Sequence, residues 1–154
     1  MSKVWLVTGS ASGLGRDIAE AVLASGDRIL ATARDPRRLN DLVQRYGEQV
    51  STAPLDVTDE AAAKAAVAKA VDVFGRLDVL VNNAGYGDTA PFEQVSSERF
   101  RALIETNFFG VVSMTRAAIP ISVSKRADAS CRSHRSAAGL RPREVPPIMP
   151  RNGP

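Results

Sequence analysis

Val4-Trp5-Leu6-Val7-Thr8-Gly9-Ser10-Ala11-Ser12-Gly13-Leu14-Gly15 is a short apolar run that breaks into three spaced glycines and then opens a helical pattern. This order predicts a buried strand, a tight turn and a helix N-terminus. Such a turn leaves backbone N–H groups unpaired and pointing outward, with the positive end of the helix dipole behind them, which suits a phosphate or pyrophosphate. Each glycine has a physical task. Gly9 turns the chain sharply, Gly13 removes the Cβ that would hold an anion off the backbone, and Gly15 lets the helix lie close on the sheet.

The spacing Gly-x-x-x-Gly-x-Gly differs from the fingerprint Gly-x-Gly-x-x-Gly and lacks the Gly-Lys-Ser/Thr ending of an ATP-binding P-loop. Alone it leaves an anion cradle and an ordinary glycine-rich turn both open, and the rest of the chain decides. With 154 residues the chain is long enough for one domain with a real core and too short for two. A composition 44% hydrophobic and 24% charged is that of a soluble globular chain. No apolar run approaches the roughly 20 residues of a membrane span. Met1-Ser2-Lys3 leads directly into the first strand without the apolar segment of a secretory signal, so a cytoplasmic location is expected. A single Cys131 and a single His134 do not make up a protein-built zinc site, and no metal is expected.

The net charge of +3 is not evenly spread. Residues 1–121 hold 13 Lys/Arg against 15 Asp/Glu, whereas residues 122–154 hold 7 against 2. The basic character belongs to the tail, which has no aromatic residue to stack on a base, so nucleic acid is not an expected partner.

After the glycine turn, Ile18, Val22 and Leu23 recur at helical spacing. Arg28 to Ala33 reads as a strand buried on both faces, and Asp35-Pro36 supplies an N-cap and a first-position proline for a helix reaching Tyr46. Val50 to Leu55 reads as a third strand, followed from Thr58 by an alanine-rich helix with Val67, Val71 and Phe74 on one face. Leu77 to Val81 is a fourth strand, cut off by Asn82-Asn83-Ala84-Gly85. Ser96 or Ser97 caps a last helix whose stripe runs Phe100, Leu103, Ile104, Asn107, Phe108, Val111 and Val112, and which is expected to end before Pro120. Strands alternating with helices predict right-handed βαβ units and a doubly wound parallel sheet of the Rossmann type, in which ligands sit beyond the carboxyl ends of the strands. The glycine turn, Ala33-Arg34, Asp56-Val57 and Asn82 to Gly85 all fall there.

With these four segments in order, residues 3–120 resemble the short-chain dehydrogenase/reductase family, whose members transfer hydride between NAD(P)H and alcohols or carbonyls. The resemblance rests on Thr8-Gly-x-x-x-Gly-x-Gly15, Asp56-Val57, Asn82-Asn83-Ala84-Gly85 and Asn107. It implies that Gly9, Ser10, Ser12, Gly13, Leu14 and Gly15 hold the pyrophosphate, that Asp56 and Val57 border the adenine, and that Asn83, Ala84 and Gly85 support cofactor and sheet. It also implies that Asn107 organises a proton relay; from the residues alone, a polar group in an apolar stripe is equally a structural one that needs partners. The implied substrate is a small alcohol or carbonyl compound.

Charge predicts the coenzyme. An NAD-preferring site places an acid at the end of the second strand, where it accepts from the ribose hydroxyls and repels a 2′-phosphate. Here that position is Ala33 and Arg34 follows, a permanent cation with bidentate donors, so NADP(H) is expected over NAD(H). Asp35, Arg37 and Arg38 are expected on the exposed start of the next helix, away from the ligand.

The family's catalytic Ser and its Tyr-x-x-x-Lys find no match. The only tyrosines, Tyr46 and Tyr86, are followed four positions later by Val50 and Ala90, and Ser122, Ser124 and Lys125 lie in no matching context. From 121 onward Ser, Arg, Ala and Pro dominate, with five of the nine prolines. Residues 121–154 therefore read as a disordered basic tail, a shifted reading frame or truncated gene being one origin and a natural tail another. Residues 1–120 read as an incomplete NADP(H)-binding domain, truncated after about four strands and inactive alone. The rival expectation is a non-enzymatic nucleotide-binding or regulatory module whose basic tail binds a partner. Tyr86 and Phe92 are candidate substrate-pocket residues. The fourth strand, left with an open apolar edge, and the last helix are the expected routes to self-association.

Overall fold

In the computed structural model, which describes residues 2–133 and the side chains as far as Ile121, four strands form one parallel sheet. They are β1 (Val4–Val7), β2 (Arg28–Ala33), β3 (Val50–Pro54) and β4 (Val79–Val81), in the spatial order β3-β2-β1-β4. The helices between them are α1 (Gly13–Ala24), α2 (Asn40–Tyr46) and α3 (Glu60–Phe74), followed by α4 (Ser97–Ile104) and α5 (Gly110–Ser133). Alternation along the strands sorts the core into two layers. Val4, Leu6 and Leu30 face α3 and α5, where Ala63, Ala66, Val67, Ala70, Phe74 and Met114 complete one cluster. Val7, Ile29, Ala31 and Ala33 face α1 and α2, where Ala19, Val22, Leu23, Leu39 and Leu42 complete the other. A sheet covered on both faces requires strands that are apolar on both faces, which is why the inner strands β1 and β2 read as unbroken apolar runs.

The winding reverses at β1. The chain steps outward from β1 to β2 to β3, then crosses back through α3 to place β4 on the other side of β1. The two neighbours of β1 are thus reached in opposite directions, and the crevice outside its carboxyl end is the place where such sheets bind ligands. Among the described strands β4 has a partner on one side only. No described helix is long and apolar enough to cross a membrane.

The last helical segment departs from the expected single helix. Ser96 caps α4 by accepting from the Arg99 N–H at 3.3 Å. The chain then widens into a π-turn over Glu105–Phe109 and resumes as α5, which passes through Pro120 and continues to Ser133. The expected end before Pro120 is therefore corrected. Proline removes one intrahelical hydrogen bond and crowds the preceding turn, at a cost of about 3 kcal/mol. Met114 and Ala118, buried against α3 with Ile121 beside them, hold the helix on course across that site. Residues 134–154, the remainder of the expected tail, lie outside the described residues.

Candidate functional site

The carboxyl ends of the four strands and the wide turn after α4 enclose one cleft of about 760 Å³. Its floor is the glycine turn. Gly9 takes φ +71° and Gly13 φ +55°, left-handed values that side-chain-bearing residues rarely adopt, so both glycines are needed for the turn itself. A Cβ on Gly13 would meet nothing within 4 Å, so this part of the backbone is open to an incoming group. A Cβ on Gly15 would collide with the Gly9 carbonyl and the Asn83 amide, and its absence lets α1 lie against the end of β1. The N-cap Ser12 makes no side-chain hydrogen bond to the first turn of α1, and no acidic side chain stands in that turn. Asp59 and Ser96 do cap α3 and α4. The first amides of α1 are thus left without a capping side chain, a terminus that favours an anion.

Ser12 and Gly9 line the cleft, while Ser10 does not. Ser10 is fully buried: its N–H donates to Thr32 O at 2.8 Å and its hydroxyl to Val7 O at 2.8 Å. Its polar hydrogens hold the turn from inside. Gly13, Leu14 and Gly15 shape the helix start and are not part of the cleft wall, with Leu14 68% exposed.

Thr8, buried at the end of β1, clamps the turn to the segment after β4. Its Oγ1 accepts from the N–H groups of Asn83 and Ala84, both at 2.9 Å, and donates to Val81 O at 3.3 Å. Asn83 answers by donating its Nδ2 to the carbonyls of Thr8 at 2.9 Å and Gly9 at 3.3 Å. Asn83, Ala84 and Gly85 line the cleft, and the Asn83 side-chain amide serves the clamp rather than the open space. The role of the Thr8 hydroxyl went unassigned in the sequence; its signal is a hydroxyl residue at the boundary between a buried strand and a glycine.

At the end of β2 the wall is basic. Arg34 and Arg38 both line the cleft, and among the described residues neither guanidinium has an ion-pair partner. Arg38 is on the exposed start of the next helical segment, as expected, a short 3₁₀ turn over Pro36–Leu39 opened by Pro36, and from there it also lines the cleft. Asp35 also lines the cleft, where it accepts from the side chain and N–H of Arg37. These bonds hold its carboxyl below the usual carboxylate range.

Beyond β3, Asp56 and Val57 line the same cleft with Thr58. Asp56 Oδ1 accepts from Thr58 N at 3.0 Å and Thr58 Oγ1 at 2.7 Å. These two bonds, and more weakly the charge of Arg34, lower the pKa of the carboxyl. The helix cap is Asp59, not Asp56, so Asp56 Oδ2 stays available to a donor in the cleft. The far wall is Ala102, Glu105 and Thr106, one face of α4 and its wide turn, with Tyr86 at the mouth. Nothing in the sequence around residue 105 announces this, because residues 105 and 9 meet at one cleft only through the tertiary fold.

Asn107 sits in the π-turn, one layer behind the cleft. Its Oδ1 accepts from Tyr86 N at 3.1 Å and its Nδ2 donates to Tyr86 O at 2.7 Å, so both ends of the amide pin the backbone after Gly85. The aromatic residues of its stripe, Phe100 and Phe108, are exposed rather than core, as is the neighbouring Phe109. Phe92 is 75% exposed and packs edge-to-face on Phe100 with centroids 5.7 Å apart, outside the cleft.

Comparison with known proteins agrees with this geometry. The short chain dehydrogenase family model matches residues 3–145, further along the chain than the motifs alone carry the resemblance. Oxidoreductase BOA17 of Botryotinia fuckeliana (strain B05.10) is 47% identical over 122 residues, 79% of this chain and 44% of that protein. The NADP-dependent 3-hydroxy acid dehydrogenase YdfG of Salmonella typhi is 39% identical over 121 residues, 78% of this chain and 49% of that protein. Among solved structures, the 3-ketoacyl-(acyl-carrier-protein) reductase of Brucella melitensis complexed with NADH superimposes with a TM-score of 0.78 at 34% identity. That match covers 82% of this chain and 52% of the reductase. The chain thus spans about half the length of the relatives it matches. On the strand order, the glycine turn at the switch point and the match over residues 3–145, this chain belongs to the short-chain dehydrogenase family of oxidoreductases.

Proposed function

We propose that the chain is the NADP(H)-holding part of an oxidoreductase acting on an alcohol or carbonyl compound. The observation that carries this reading is the pair Arg34 and Arg38 lining a cleft that reaches Gly9, Ala11 and Ser12, the turn leading to the uncapped N-terminus of α1. A dinucleotide phosphate needs both: amides for its bridging pyrophosphate and a guanidinium fork for its 2′-phosphate. Gly9, Ser12, Gly13, Leu14 and Gly15 would supply the backbone cradle, with Ser10 bracing it. Arg34 would take the 2′-phosphate, and Asp56, with Val57, would accept from the adenine amine. Asn83, Ala84 and Gly85 would bear on the nucleotide through their backbone. The coenzyme, when bound, supplies or takes up the hydride.

These residues bind and orient; they do not move a proton. Asn107 has both ends of its amide engaged by Tyr86, so it would act in a relay only through the segment it positions. Neither tyrosine is followed by a lysine four residues on, and a positioned acid or base is worth roughly 10² to 10⁴ in rate. The 154-residue chain is accordingly expected to bind NADP(H) and to reduce carbonyls slowly or not at all. A fluorescence titration with NADPH and NADH tests the reading. Wild type should bind NADPH more tightly, and Arg34→Ala should lose most of that preference; an unchanged preference in Arg34→Ala would overturn the role given to Arg34.

A further inference from the structure

The basic wall at the end of β2 also contains an acid, and that acid is held. A free carboxylate lining the cleft beside Arg34 and Arg38 would accept from ribose hydroxyls and repel a 2′-phosphate, which is how an NAD-selecting residue works. Asp35 lines the same cleft two residues beyond Ala33, but it is not free. Arg37 Nε donates to its Oδ1 and Arg37 Nη2 to its Oδ2, both at 2.9 Å, and the Arg37 N–H adds a third bond to Oδ1 at 3.1 Å. The fork engages both carboxylate oxygens at once and offsets their charge. Arg37 itself stands outside the cleft, with its side chain 85% exposed.

Building on the cofactor reading above, we infer that Arg37 is a positioning residue for coenzyme choice. By clamping Asp35 it silences an acid that would otherwise select against the 2′-phosphate. Arg34 and Arg38 then set the sign of the wall. A spare positive charge on Arg37 would help both coenzymes through its field alone, whereas release of Asp35 strengthens NADH and weakens NADPH together. The two effects have different signatures.

The test is a binding titration of the whole chain with NADPH and NADH for wild type, Arg37→Ala, Arg37→Lys, Asp35→Asn and the double variant Asp35→Asn/Arg37→Ala. Circular dichroism should show each variant folded, and Arg37→Gln replaces Arg37→Ala if the alanine variant is not. In Arg37→Ala the NADPH-to-NADH affinity ratio should fall roughly tenfold, the scale of one hydrogen-bonded charge gained or lost, with NADH bound more tightly than by wild type. Arg37→Lys should recover part of the ratio, and in the Asp35→Asn background the Arg37 substitution should leave it unmoved. A wild type that prefers NADPH with an unchanged ratio in Arg37→Ala overturns the clamp alone, as does a fall of equal size in the Asp35→Asn background. A wild type that prefers NADH overturns the cofactor reading, and one that binds neither coenzyme overturns both.

Discussion

Thr8 lies outside the cleft yet joins the turn after β1 to the segment after β4. One buried hydroxyl satisfies two N–H groups of the segment after β4, so removing it strands both donors while leaving the strand itself intact. Thr8→Val keeps the volume and removes the oxygen. It should cost about 1 to 3 kcal/mol in thermal or urea unfolding, with Thr8→Ser recovering most of the loss. Gly15 is limited by space instead. A methyl there meets the Gly9 carbonyl and the Asn83 amide, neither of which can withdraw without opening the turn or the clamp. Gly15→Ala is therefore expected to lower stability by about 1 to 3 kcal/mol and to weaken coenzyme binding, whereas Gly87→Ala, with open space around it, should do neither. Equal effects at the two glycines would contradict the packing account.

At the scale of elements, what could be read from sequence depended on whether local chemistry or packing decides the outcome. β1 and β2 were legible because burial on both faces forces an unbroken apolar run, and the turn after β1 because only glycine tolerates the φ of residues 9 and 13. The cap of the turn after β2 was legible too, since Asp35 does accept from the N–H of Arg37. The exposed position of Arg38 on the turn after β2 was legible as well, whereas its place on the cleft wall was not, because that depends on how the turn packs. The passage of α5 through Pro120 was misread because a local steric rule lost to the burial of Met114 and Ala118. The wall formed by Glu105 and Thr106 depends on tertiary placement that no local pattern encodes. β4 and the α4–α5 segment remain incompletely covered: Val79, Leu80 and Val81 are only half-buried at the sheet's edge, and Phe108 and Phe109 are 58% and 48% exposed. Sedimentation velocity should show concentration-dependent self-association, reduced by Val81→Lys at the edge or by Phe108→Ser on the helix. A monomer across the micromolar range would contradict this.

On the scale of the whole molecule, acid stability follows from where its carboxylates are bonded. Asp27 accepts from Lys3 N at 2.8 Å and Trp5 Nε1 at 2.9 Å, tying the start of β1 to the turn before β2, and these bonds hold its pKa down. Asp41 is held down by Arg16 of α1, which joins α1 to α2, and Asp56 by Thr58. A carboxyl whose pKa is lower folded than unfolded contributes stability above its unfolded value, near 3.9 for Asp, and loses it as pH falls through the folded value. The melting temperature should therefore be nearly flat from about pH 7 to about pH 5 and fall below about pH 4. Asp27→Asn should flatten part of that fall; an acid transition identical to wild type would show that Asp27 plays no part in it.

The cleft lies where β1 has neighbours wound in from opposite directions, and its proposed occupant is a coenzyme bearing a 2′-phosphate. Isothermal titration calorimetry of the folded 154-residue chain against NADPH and NADH measures this most directly. One site per chain is expected, with NADPH bound more tightly; no heat with either coenzyme, or tighter binding of NADH, would overturn the cofactor reading.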